Sequence, residues 1–452
     1  GYMLKLSFHG GTQEVTGANY LLETEHTRIL VDCGMFQCPR FCAAKNKEEF
    51  AYDPKTIDAL FVTHAHIDHV GRVPKLARAG FTGKIYSTPP TKDFAALMLE
   101  DSLGVLEKEA TREGESGAFY DMEDLKHALE MWDTVPYYET FHVGDFEVKF
   151  FNAAHILGSA MVEIKVQGKT FLFTGDLGNV PMPLLPPTDH VANVDYLTIE
   201  SAYGNRVHED RGERKEKFER AIEDTIKRGG TLMIPAFALE RTQEILVDLN
   251  ELIEHGRVTS VPVFLDSPLS IKATAVYRKY TSYFSDDTKK LIREGDDIFN
   301  FPLLQRTLTS DESKNINTVK GPKIILAGAG MMTGGRILHH ARRYLPQKEN
   351  TILFIGYAAA GSIARQIIEK ASSVRIFGEE VPVRCDVRSI RGYSAHADSN
   401  DLLAFIESNR DTLKQVFVVQ GDAAASLFLV QRARDYLGVN AGAPHFGDSV
   451  SF

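Results

Sequence analysis

The chain has 452 residues, 43% of them hydrophobic and 25% charged, the make-up of a globular protein long enough for one large core or two. Its formal net charge of −10 argues against a general nucleic-acid binder, and the absence of any run of 18 or more apolar residues excludes a membrane span. The start, Gly1-Tyr2-Met3, has no basic stretch followed by an apolar one, so it is not read as a secretory leader, and Met3 reads as the natural start.

In chain order, the first 200 residues read as short strands with turn punctuation. Leu4–Phe8, Tyr20–Glu23 and Arg28–Asp32 are apolar or alternate, and Gly10-Gly11 and Cys33-Gly34 break them. Cys33, Cys38 and Cys42 lie close together but lack a fourth ligand and a tight CxxC pairing, so they read as structural or incidental. Four cysteines make no disulfide framework, and the cytoplasm is the default compartment. Further strands are expected at Ala59–Thr63, Glu147–Asn152, Met161–Val166 and Thr170–Thr174, with helices at Asp93–Ala110 and Met122–Met131.

After Tyr203-Gly204 the pattern changes. Arg214–Arg228 and Leu239–His255 read as helices, and Thr231–Pro235, Val261–Leu265, Lys323–Ala327 and Thr351–Ile355 as strands between helices. That alternation predicts a parallel, helix-covered sheet. The tail reads as strand Val383–Ile390, helix Asp401–Ser408, strand Gln415–Val419 and helix Ala425–Leu437. Domain boundaries are expected near 208 and 380, giving parts 1–208, 209–380 and 381–452. The middle part has a charge balance of +2 against −12 for the rest, which allows a local basic face without showing one.

The chemistry concentrates at strand ends. Ala59–Thr63 runs directly into His64-Ala65-His66-Ile67-Asp68-His69, four potential metal ligands within six residues. Such a loop can send His64 and His66 toward one ion and Asp68 and His69 toward another, and imidazole with carboxylate suits zinc. Phe150–Ala154 ends at His155, and Phe171–Thr174 ends at Gly175-Asp176. Together they complete one ion at His64, His66 and His155 and let Asp176 be shared with a second. Gly328–Gly335 before the helix Arg336–Arg343 could turn backbone N–H groups toward phosphates, with Gly328, Gly330, Arg336 and Ser394 as weak substrate-binding candidates.

The ordered set His64-x-His66-x-Asp68-His69, His155, Asp176 resembles the metallo-β-lactamase-fold pattern, and the remainder resembles its nucleic-acid-processing β-CASP branch. Thr198-Ile199-Glu200-Ser201-Ala202-Tyr203-Gly204 looks like the branch's first signature, and Gly392-Tyr393-Ser394-Ala395-His396-Ala397-Asp398 like its second. Gly328-Ala329-Gly330-Met331 and Gly356-Tyr357 look like its glycine-rich segments. The resemblance implies an αββα sandwich interrupted by an α/β insert, the β-CASP domain, that forms a cleft for a single strand. It implies hydrolysis of single-stranded RNA with two zinc ions, Asp68 and Asp176 serving the metals and His396, backed by Glu200, as proton donor. Asp32, in Asp32-Cys33-Gly34, resembles a residue that supports the metal rim. No membrane partner is expected, and a homodimer is allowed.

One segment departs from the pattern. Where the branch's third signature reads Val-His-Gly-Glu, this chain has Val419-Gln420-Gly421-Asp422. An amide oxygen is a poor zinc ligand beside imidazole, so the second ion is expected to bind less well or not at all. Two rivals to a zinc-dependent ribonuclease stay open: a metal-poor protein that holds RNA without cutting it, and a small-molecule metallo-hydrolase.

Overall fold

The computed structural model describes residues 3–38, 42–114, 117–209 and 211–452. The chain divides into two units. The first contains Gly1–Val180, Pro187–Val207 and His396–Phe452; the second contains Pro181–Pro186 and His208–Ala395.

In the first unit, the strands place apolar side chains at every second position, which gives each sheet one buried face. Leu4, Leu6 and Phe8 on one sheet meet Phe146, Val148 and Phe150 on the other in a single core that also takes in Tyr20, Val162 and Ile164. Each sheet has seven strands. The first runs Ser449–Ser451, Leu4–Phe8, Tyr20–Thr24, Arg28–Val31, Ala59–Phe61, Lys84–Ser87, Trp132–Thr134. The second runs Ala441–Gly442, Gln415–Val419, Tyr196–Glu200, Lys169–Phe173, Ala160–Val166, Phe146–Asn152, Phe141–Val143. Helices cover the outer faces. Ser399–Glu407 and Ala423–Leu437 pack Leu402, Ile406, Leu429 and Ala433 onto Leu197, Ile199, Val416 and Val418. The result is the αββα sandwich expected from the sequence.

Two signature residues have a local role in this covering. Asp398 caps the helix Ser399–Glu407 in a reciprocal pair with Asp401, and the Asp422 side chain accepts the Ala425 N–H at the start of Ala423–Leu437. A carboxylate there satisfies otherwise orphaned N–H groups and complements the helix dipole. Cys38 and Cys42 are joined by a disulfide, whereas Cys33 and Cys385 are buried free thiols. The Cys38–Cys42 pairing is a structural role, one of the two expected of these cysteines. Among the described residues no helix is long and apolar enough to cross a membrane.

The second unit is built on a six-stranded sheet in the order Leu304–Arg306, Val263–Asp266, Lys323–Ala327, Thr231–Pro235, Thr351–Phe354, Asp386–Ser389, with every pair parallel. Parallel sheets need helices on their faces, and here Ile337 and Ala341 of Ile337–Tyr344 pack on Met233, Ile325 and Ile352. The strand Asp386–Ser389, which the sequence places after the 380 boundary, pairs with Thr351–Phe354 inside this sheet. The chain returns to the first unit only at His396.

The glycine-rich turn of this unit is held from within. The Ile337 N–H donates to the Gly328 carbonyl at 2.9 Å and the Ala329 N–H to the Gly334 carbonyl at 3.1 Å. A Cβ on Gly330 would lie 2.4 Å from the Phe237 ring, so close packing alone demands glycine there. Arg336 donates to Asp266 Oδ1 at 2.9 Å and to the carbonyls of Thr307 and Leu308. The guanidinium expected to meet phosphate is thus engaged in tying this turn to the strand Val263–Asp266. Ser394 is buried, and its N–H donates to the Arg391 carbonyl.

Candidate metal centre

The candidate ligands of the first unit follow the ends of strands, with Asp68 and His69 in the short helix Ile67–Val70. Ala59–Phe61 leads to His64, Phe146–Asn152 to His155, Lys169–Phe173 to Asp176, and Gln415–Val419 to Gln420. Left-handed backbone turns the chain at these points: Ala154 has φ 55°, Gly175 φ 54° and Gln420 φ 54°. For a residue with a side chain that conformation costs on the order of 1–2 kcal/mol, which the surrounding packing must supply. The loop of His64–His69 is clamped by the segment after Arg28–Val31, where Cys33 and Met35 donate N–H groups to the carbonyls of His69 and Ile67. A Cβ on Gly34 would lie 1.6 Å from the Asp68 carbonyl oxygen, so that clamp admits only glycine.

These turns bring His64, His66, His155 and Asp176 together, with one ligand atom from each within 4.8 Å of the others. Asp176 Oδ2 lies 3.3 Å from His64 Nε2 and 3.4 Å from His155 Nε2. His66 Nδ1 lies 3.1 Å from His155 Nε2. A second group joins His64, Asp68 and His69. There His69 Nε2 stands 3.2 Å from Asp176 Oδ1 and 3.7 Å from Asp68 Oδ2. The two oxygens of Asp176 therefore face different sets of ligands, and His64 belongs to both groups.

The hydrogen bonds around the imidazoles fix which nitrogen is free. The Thr63 N–H and hydroxyl donate to the two oxygens of Asp32, at 2.8 and 2.7 Å. The Thr63 oxygen is then left to accept from His64 Nδ1, 3.0 Å away. His69 Nδ1 donates to Asp32 Oδ2 at 2.6 Å. His64 Nε2 is buried and makes no well-aligned hydrogen bond, with Asp176 Oδ2 facing it at 3.3 Å. An orphaned ring nitrogen aimed at a carboxylate and two further imidazoles is what a bound cation would satisfy, so these residues fit zinc.

Electrostatics agree with that fit. Burial drives the His155 imidazole well below the usual histidine range, which keeps it neutral as a ligand must be. Burial alone would raise Asp176, but the neighbouring His69, His64 and His396 more than offset it and hold the carboxyl well below its usual range. Burial, with the Asp176 charge, raises Asp68. Burial also lowers His69, yet the carboxylates of Asp176, Asp68 and Asp32 outweigh it and hold that ring well above its ordinary value. Three carboxylates round one imidazole amount to a local surplus of negative charge.

Glu200 and His396 stand beside the ligands. His396 Nδ1 lies 3.2 Å from Glu200 Oε1, and its Nε2 points toward Asp176 Oδ2 at 3.9 Å. Glu200 is fully buried and accepts the Leu177 N–H at 2.7 Å. Burial raises its carboxyl, and His396 opposes the rise.

Gln420 sits against the second group. Its Nε2 donates to Asp176 Oδ1 at 2.7 Å and lies 3.4 Å from His69 Nε2. Its Oε1 accepts the Tyr20 hydroxyl at 3.0 Å. Tyr20 and Thr63 are the members of this neighbourhood that sequence reasoning passed over. Tyr20 sits in an alternating strand and reads as core, and Thr63 reads as the last residue of an apolar one.

Comparison with known proteins extends these observations. The "Metallo-beta-lactamase superfamily" model matches residues 13–236, the "Beta-Casp domain" model 242–367, and the "Zn-dependent metallo-hydrolase RNA specificity domain" model 380–444. The chain is 36% identical to Ribonuclease TTHA0252 of Thermus thermophilus over 98% of this chain and 98% of that protein. It is 34% identical to an RNase J-like protein of Methanocaldococcus jannaschii over 94% of each. It is 29% identical to the transcription termination factor FttA of the same organism, over 96% of this chain and 69% of that one. A solved protein of unknown function from Enterococcus faecalis V583 shares the fold, with a TM-score of 0.54, 12% identity and full coverage of both chains.

Proposed function

The chain belongs to the β-CASP branch of the metallo-β-lactamase superfamily, whose members it resembles as a metal-dependent hydrolase acting on RNA, and from that premise we propose that it cuts single-stranded RNA with zinc held by His64, His66, His155 and Asp176. The observation that carries the reading is the buried Nε2 of His64, which makes no well-aligned hydrogen bond and faces Asp176 Oδ2 at 3.3 Å beside two other imidazoles. When bound there, zinc supplies Lewis acidity and lets water ionise near neutral pH.

The chain's own groups do the rest. Asp32 and Thr63 hold the rings of His69 and His64 so that each Nε2 faces inward. Glu200 orients the His396 ring through Nδ1, so that His396 Nε2, on the side of Asp176, can hand a proton to the departing ribose oxygen. Asp68 and His69 complete the acidic rim. The cytoplasm is its place of action, with the first unit as the metal-binding domain and His208–Ala395 as the insert, the expected boundary near 380 moving to 395 because Asp386–Ser389 pairs within the insert's sheet. All the named groups come from one chain, so none of this requires a second copy.

The test separates metal binding from proton transfer. His64→Ala should lose both zinc and cleavage of a labelled single-stranded RNA. His396→Ala should keep its zinc and lose cleavage by roughly 10²–10⁴-fold, the usual worth of a positioned acid. Unchanged zinc in His64→Ala sinks the ligand assignment. A wild-type protein that binds the RNA without cutting it favours the non-cutting alternative, which the position of Gln420 keeps open.

A further inference from the structure

Asp176 divides its carboxylate: Oδ2 faces His64 and His155, and Oδ1 faces His69 and Gln420. On the Oδ1 side the groups that could take a second ion are His69 Nε2, Asp68 and Asp176, and the atom lying among them is the amide nitrogen of Gln420. It is 2.7 Å from Asp176 Oδ1 and 3.4 Å from His69 Nε2.

The orientation of that amide follows from its surroundings. Turned the other way, Oε1 would face Asp176 Oδ1, which only a cation between the two oxygens would make favourable, and the Tyr20 hydroxyl would lose its acceptor. On its far side, Oε1 takes the hydroxyl of Tyr20 at 3.0 Å. Tyr20 is buried in the core between the sheets, its ring packed edge-on against Phe8 and stacked on Phe173. Gln420 itself is 3% exposed, in a left-handed turn whose N–H donates to the Gly11 carbonyl at 2.7 Å. Neither end of the amide is free to rotate away. The only atom of Gln420 that could ligate a metal points to Tyr20, away from the carboxylates, and the atom presented to them is a donor carrying partial positive charge.

We infer that the amide N–H of Gln420, held in place by the Tyr20 hydroxyl, substitutes for the second cation, so that this chain is built around a single zinc. The inference rests on the zinc reading of His64, His66, His155 and Asp176 given above. It goes beyond a weakened second site, because the position is filled by a hydrogen-bond donor that neutralises part of the charge on Asp176.

The test is zinc stoichiometry of the full chain, measured by titrating metal-stripped protein and by elemental analysis. The wild-type protein should take up one zinc per chain. Gln420→Glu differs by one atom, exchanging the donor N–H₂ for an oxygen. It should bind a second zinc at least about tenfold more tightly than the wild type does, the smaller end of what losing a metal's supporting group costs. Gln420→His should also gain a second equivalent, which covers the case in which the added charge of Gln420→Glu prevents folding. Two tightly held zincs in the wild type overturn the inference and leave the first-site reading standing. A single zinc in both variants also overturns it. No zinc in the wild type overturns the first-site reading and, with it, this one.

Discussion

Asp32 and Thr63 touch no candidate substrate position, yet they decide which nitrogen of His64 and His69 is available. Asp32 receives three donors, from the Thr63 N–H, the Thr63 hydroxyl and His69 Nδ1. The Thr63 oxygen, its own proton spent on Asp32, accepts from His64. Thr63→Val keeps the shape and removes that acceptor. His64 is then free to move its proton to Nε2, the atom that faces Asp176. Zinc affinity should fall by roughly 10–100-fold, and the metal-stripped variant should lose about 1–3 kcal/mol of stability, because the buried hydroxyl also donates to Asp32. A zinc titration that superimposes on the wild type would mean the ring is oriented by packing alone.

At the scale of elements, the helix Arg241–Glu254 carries an unusual stripe. Glu244 and Asp248 lie one turn apart on it, and Glu240 precedes it in a left-handed turn with φ 71°. All three are buried, with Arg214, Tyr277 and Tyr393 around them. Neither oxygen of Glu244 finds a donor. Burial, with the charge of Glu240 next to it, raises the Glu244 carboxyl well above its usual range. A carboxyl raised in the folded protein ionises first in the unfolded chain. Its contribution to stability is therefore complete below about pH 4.5, the unfolded value, and drains away as pH rises toward the folded one. Glu244→Gln removes that loss, so the variant should melt higher than the wild type at pH 8, with the gap closing toward pH 5. A gap that does not change with pH would show that Glu244 is not held protonated. The stripe also shows where sequence reading stops. Leu239–His255 was readable as a helix from its apolar spacing, but polar residues at its buried positions read as solvent-facing. The ligand motifs were readable because each follows an apolar strand. The three-residue strands Trp132–Thr134 and Phe141–Val143 are too short to show a period. The pairing of Asp386–Ser389 is set by non-local contact, and Gln420 betrays the loss of a histidine without revealing which way its amide points.

For the whole molecule, a net charge of −10 sets the terms on which RNA is met. Long-range attraction is weak, so affinity must come from local contacts between cationic side chains and phosphates. Each such contact releases counterions, with a slope of about 0.7 per phosphate for a single strand. With roughly four phosphates held, raising salt fourfold should weaken binding about fifty-fold. Equal affinity at both salts, measured with an uncleaved labelled strand, would remove phosphate contacts from the account. The order of the chain has a consequence of another kind, for the ribosome. His64, His66, His155 and Asp176 all emerge before the long segment His208–Ala395 of the second unit, whereas His396 and Gln420 emerge only after it. Until then Tyr196–Glu200 is an edge strand awaiting Gln415–Val419, its parallel neighbour. At ordinary rates of synthesis the intervening segment takes roughly ten to forty seconds. Through that interval the nascent chain carries the four candidate ligands but neither His396 nor the strand that completes the second sheet.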